Sequence, residues 1–95
     1  MAKKEATQEA YDRWQESREV AAILHETWAA TIRSRKRIID SAMRAGVKPG
    51  LAIEIYQNAL AESQQQYIQA FTRMCELSDE YTALTLGVSA PRKKK

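Results

Sequence analysis

Ninety-five residues with a formal net charge of +3, one cysteine, three glycines and two prolines amount to one small domain. The lone Cys75 excludes an internal disulfide framework, and no apolar run approaches the ~20 residues of a membrane span. Met1-Ala-Lys-Lys-Glu carries charge with no apolar core behind it, so the reading is a cytoplasmic chain without a secretory leader.

The charge is unevenly placed. Lys3, Lys4, Arg92, Lys93, Lys94 and Lys95 lie at the ends, and setting these six cations aside turns +3 into −3 for the body. Helix breakers are just as uneven. Gly46, Pro49 and Gly50 cluster mid-chain, and Gly87 and Pro91 stand near the end. The two long stretches between them carry no Gly or Pro, and no alternating strand pattern or Asn-Gly turn occurs. The fold class is therefore all-α: one helix over about 5–45, a turn at 46–50, a second helix over about 51–86 and a basic tail at 88–95, making a single long antiparallel hairpin.

In the first helix, Thr7 is the expected N-cap, with Glu9 suited to the positive helix end. Its apolar seam runs Trp14, Ser17, Ala21, Leu24, Trp28, Thr31, Arg35, Ile38, Ala42 and Ala45. Tyr11, Ile32, Ile39 and Met43 form a neighbouring row that widens the apolar face. Gly46 is placed to end this helix in a left-handed conformation.

In the second helix, Pro49 suits the first turn, where its missing N–H leaves no bond unmade. The seam is Ile53, Tyr56, Leu60, Ser63, Tyr67, Ala70, Met74, Leu77, Tyr81 and Leu84, spaced alternately by three and four as a coiled-coil seam requires. Gly87 is its natural stop. Folding the helices about residue 48 sets Trp28 opposite Ala70, Ala21 opposite Leu77, Ile38 opposite Leu60 and Ala42 opposite Tyr56. The same register brings Arg44 to Glu54, Arg35 to Glu62, and Arg18 to Asp79 and Glu80.

Chemistry-bearing groups are sparse. One histidine, His25, has no second ligand at helical spacing, and reads as a seam-edge residue rather than a metal ligand. Cys75 stands beside Glu76 and Asp79, acidic neighbours that give no support to a reactive thiolate, and reads as an inert, partly buried thiol. With no paired carboxylates, nucleophile–histidine set or glycine-rich phosphate loop, no enzyme, cofactor, metal or small-molecule substrate is expected. The cations Arg33, Lys36, Arg37, Arg44 and Lys48 are candidates for phosphate contact, with Arg92, Lys93, Lys94 and Lys95 as a separate basic tail.

Met43-Arg-Ala-Gly-Val, Gln66-Tyr-Ile-Gln-Ala, Leu84 and Gly87 together resemble the last helical hairpin of outer-membrane efflux channels, which set a glycine turn before a long helix of this texture. The two-helix design is also similar to small plasmid RNA-binding hairpins that dimerise into four-helix bundles. Both resemblances bear on architecture and carry no activity with them.

A two-helix core is one seam wide, and this chain has more aromatic and aliphatic side chains than one seam covers. Tyr11, Ile32, Ile39, Met43, Ile68 and Phe71 are the expected partner-binding residues. The expected partner is another protein or, as the simplest closed solution, a second copy that gives a homodimeric four-helix bundle, with a protein-interaction role as adaptor, small regulator or assembly factor. Two alternatives stand beside it: a nucleic-acid-binding protein of phage or plasmid type that uses the basic patch or ends, and a small inhibitor of a larger enzyme.

Overall fold

The computed structural model describes residues 2–87, with side chains from residue 5 onward. The basic tail, Pro91 and the end cations lie outside the described side chains. The described chain is all-helical: α1 (Ala2–Arg33), α2 (Arg35–Arg44) and α3 (Pro49–Leu86), with no strand among the described residues.

The glycines act as their positions predict. Ala45 closes α2 and Gly46 follows with φ +96°. The Gly46 N–H donates to the Met43 carbonyl and the Val47 N–H to the Ala42 carbonyl, both at 3.0 Å. This pair of bonds is the Schellman stop, and it satisfies carbonyls that the end of α2 would leave open. Pro49 opens α3, and Gly87, at φ +74°, follows its last residue.

Two expectations at the helix ends are corrected. Thr7 lies inside α1 rather than at its start, because Ala2, Lys3, Lys4, Glu5 and Ala6 are strong helix formers with no breaker among them. The first long helix is also divided at Ser34 (φ −94°, ψ +11°). Two turns before the break, the Thr27 hydroxyl donates to the Ile23 carbonyl, and one turn before it the Thr31 hydroxyl donates to the Thr27 carbonyl. Such back-bonding bends helices. Ser34 is a weak helix former with four cations within three residues of it, so the weak point falls there.

The described residues form two compact units. The terminal unit takes the chain up to Ala22 together with the chain from Gln69 onward, and the turn unit is Ile23–Ile68. In the terminal unit, Ala10, Ser17, Ala21, Leu77 and Ala83 are buried. The Ser17 hydroxyl donates to the Trp14 carbonyl at 2.7 Å, which is how a hydroxyl can occupy a seam position. In the turn unit, Ala52, Tyr56 and Ser63 are buried, with the Ser63 hydroxyl donating to the Leu60 carbonyl at 3.0 Å. Ala52 takes the seam position expected of Ile53, which is exposed.

The register also differs from expectation. Trp28 stacks on Tyr67, one helical turn earlier in α3 than Ala70. Glu80 accepts from Arg13 rather than Arg18, and Arg35 lies over the Tyr56 ring, 5.7 Å from its centroid, rather than beside Glu62. The Trp28–Tyr67 stack places the pivot of the turn just ahead of residue 48.

Candidate interaction surface

The site is built from aromatic packing, and each unit holds its own set. In the terminal unit, Trp14 stacks on Tyr81 with ring centroids 5.5 Å apart and planes 22° apart. Tyr11 meets the edge of Trp14 at 6.0 Å and lies 5.4 Å from Tyr81. In the turn unit, Trp28 stacks on Tyr67 at 5.6 Å and 24°. His25 meets the edge of Trp28 at 6.0 Å and lies 5.1 Å from Tyr67. Trp14 to Trp28, Tyr11 to His25 and Tyr67 to Tyr81 are all steps of two heptads, so one packing device recurs on the same helical face. Stacked and edge-on aromatic pairs contribute about 0.5–1.5 kcal/mol each beyond their buried area.

Polar contacts decorate the sets differently. In the terminal unit, Arg13 pairs with Glu80 across α1 and α3 at 3.1 Å, both side chains being about half exposed. The Arg18 guanidinium sits 5.6 Å from the centre of the Trp14 ring and donates to Gln15. Two shallow grooves flank this unit, each of about 230 Å³. Arg13, Glu16, Ser17, Val20, Ala70, Arg73 and Leu77 line one; Trp14, Arg18, Met74, Cys75, Ser78 and Asp79 line the other. Cys75 is exposed, not partly buried as its sequence context suggests.

In the turn unit, two of the candidate phosphate-contacting cations are held by acids on their own side of the chain. Arg33 pairs with Glu26, and Lys36 donates to Asp40 at 2.7 Å. The hydrogen bond from Lys36, aided by its charge, pulls the Asp40 carboxyl below its usual range, and the same bond raises Lys36. Arg37 donates to the Ser34 hydroxyl at 3.1 Å. Arg44 and Lys48 are exposed beside the turn.

Of the candidate partner-binding residues, Ile32, Met43, Ile68 and Phe71 are exposed and Ile39 is half-buried. Tyr11, though 39% exposed, belongs to the terminal aromatic set rather than to a separate row. Phe71 and Tyr11 fall in the terminal unit and the other four in the turn unit. The structure adds residues that the sequence reading leaves out: Ile23 at 65% exposed, Leu51 at 52%, and Val20, Ile53, Ile55 and Leu86. Leu51 and Ile55 are one turn apart, and so are Val20 and Ile23; that spacing is the signal that marks them.

No group of three or more His, Cys, Asp or Glu side chains that could hold a metal occurs among the described residues. No described helix is long and apolar enough to cross a membrane. Compared with protein-family models, curated proteins and solved structures, the chain matches none of them.

Proposed function

We propose that this chain is a non-enzymatic interaction module: a helical hairpin whose working partner is a second copy of itself, the two forming a four-helix bundle. The observation that carries this reading is the number of large apolar side chains left in solvent. In the turn unit these are Ile23, Ile32, Met43, Leu51, Ile53, Ile55 and Ile68, while its buried set is Ala52, Tyr56 and Ser63. Single exposed aliphatics are ordinary, but a surplus of this size beside so thin a core is what a bundle half presents. The aromatic stacks support the reading further, since they tie facing helices together while staying only half-buried. A lone thiol and a charged body suit a reducing compartment such as the cytoplasm. Sedimentation velocity at micromolar concentration tests the association. A dimer of the 10.8 kDa chain is expected, and a monomer at every concentration contradicts the reading.

A further inference from the structure

The turn unit is unequal on its two sides. Ala52, Tyr56 and Ser63 are buried on α3 and Tyr67 stacks on Trp28, while Thr31, Ile38 and Ala42 are half-buried on α1 and α2. Ile32, Ile39 and Met43 each follow one of the half-buried residues by one position. Ile53, Gln57, Gln64 and Ile68 each follow one of the inward α3 residues in the same way. One position is a rotation of about 100° around a helix, and between antiparallel helices equal rotation leads to the same side of the pair. These side chains therefore share one face. The stripe on α1 and α2 runs through the break, because the Ser34 N–H still donates to the Ala30 carbonyl at 3.0 Å and the Ile38 N–H to the Ser34 carbonyl at 2.9 Å. The opposite side, one position ahead of the same inward residues, carries Arg37, Ser41, Glu62 and Gln66, with Leu51 and Ile55 at its turn end.

Resting on the self-association proposed above, we infer that a second copy covers this face end over end, about a twofold axis that crosses the turn unit between Arg35 and Lys36 on α2 and between Leu60 and Ala61 on α3. The face is its own complement under that rotation. Ile32 and Ile39 lie equally far to either side of the first point. Ile53 and Ile68 lie equally far to either side of the second, and so do Gln57 and Gln64. One axis serves both helices because the Trp28–Tyr67 stack sets their level: a heptad on from Trp28 is Arg35, and a heptad back from Tyr67 is Leu60. The rotation sets Ile32 on Ile39 of the second copy, Ile53 on its Ile68, and Met43 on its Trp28, a sulfur–aromatic contact. The two glutamines, both exposed, select the occupant. Covering an amide costs free energy unless it is hydrogen-bonded, and each amide carries both a donor and an acceptor. Gln57 of one copy and Gln64 of the other satisfy each other, twice over by symmetry. Lys36 stands beside the axis, where Asp40, 2.7 Å away in the same copy, offsets its charge.

Sedimentation equilibrium of paired variants tests the contact between Ile53 and Ile68. Ile53→Glu and Ile68→Lys are each expected to weaken self-association about tenfold with helicity unchanged, because each homodimer sets a charge against an isoleucine twice. Mixed, the two variants are expected to form a heterodimer, in which the new carboxylate meets the new ammonium at one contact and isoleucine meets isoleucine at the other. Ile55→Glu, on the opposite side, is expected to leave the dimer as it is. A mixture that does not associate, or an Ile55→Glu variant weakened as much as Ile53→Glu, overturns the inference and leaves self-association standing. A wild-type monomer at every concentration overturns both. Disulfide trapping reads the same axis without relying on affinity. In a Cys75→Ser background, Ala61→Cys is expected to oxidise to a covalent dimer faster than Gln66→Cys, since Ala61 adjoins the axis and Gln66 faces away from it. Faster trapping at position 66 contradicts the pairing.

Discussion

The terminal and turn units use one aromatic device in two electrostatic settings. Trp14 on Tyr81 and Trp28 on Tyr67 differ by 0.1 Å in separation, 5.5 against 5.6 Å, and by 2° in tilt, 22° against 24°. The third member differs: Tyr11 fills in the terminal unit the place that His25 fills in the turn unit. Around the device, the terminal unit adds the Arg13–Glu80 pair and the Arg18 guanidinium over Trp14. The turn unit adds Arg35 over Tyr56 and leaves more aliphatic side chains in solvent. Internal packing is therefore similar in both units, while the turn unit leaves more of its aliphatic side chains in solvent.

The equivalence of the two stacks is open to direct attack. Trp14→Ala and Trp28→Ala should each lower unfolding stability by about 2–4 kcal/mol, because each removes a half-buried indole and its stack. Urea titration followed by circular dichroism checks this. A difference of more than about 1.5 kcal/mol between the two variants would show that the sets are not energetic equals. A smaller effect confined to the turn unit is expected from Gly46→Ala. Nothing lies within 4 Å of the added methyl, so the loss comes from the left-handed backbone at φ +96°, about 1 kcal/mol. Hydrogen exchange should then speed up first at the Gly46 and Val47 amides.

Converting the turn unit toward the terminal one is predicted to help. His25→Tyr places the same ring type against Trp28 and Tyr67 that Tyr11 places against Trp14 and Tyr81. A gain of about 0.5–1 kcal/mol is expected; a loss in thermal unfolding would mean that the imidazole at this position does something a phenol cannot.

The smallest effect belongs to Lys36 and Asp40. The Asp40 carboxyl is lowered, so what the pair contributes is present above the ordinary carboxylate range and lost as pH falls through the folded value. Lys36 is raised, so the contribution is complete below the ordinary lysine range and lost as pH rises through its folded value. Carbon-detected NMR titration should find Asp40 titrating below a free aspartate and returning toward it in Lys36→Ala. An unchanged Asp40 in that variant would remove the pair from the account.

How much of this could be read from residues alone follows from where each instruction is local. Gly46, Pro49 and Gly87 announce themselves, because left-handed backbone and a missing N–H are properties of single residues. The middle of each seam was legible from spacing, but not its ends: Ala52 rather than Ile53 is buried at the start of α3, Ala83 is buried beside Leu84, Ala10 is buried ahead of Trp14, and Arg35 and Ala45 are exposed. Register was not legible, because it depends on where the chain pivots within the glycine–proline cluster, and several pivots are open to a turn of that length. The break at Ser34 was hidden in an otherwise good helical pattern. The aromatic sets were hidden for another reason. Their signal is the repeated two-heptad step from Trp14 to Trp28 and from Tyr67 to Tyr81, which appears only when the two helices are compared with each other. The exposed aliphatics Leu51, Ile55, Val20 and Ile23 lie in pairs one turn apart on faces away from the main seams, where two residues are too few to make a periodic signal.

The central claim is that a second copy covers the apolar face. It is tested most directly by mixing isotope-labelled and unlabelled chains and recording isotope-filtered contacts from the isoleucine methyl groups. The account predicts intermolecular contacts at Ile32, Ile53 and Ile68; their absence at concentrations where the chain is fully folded would contradict it.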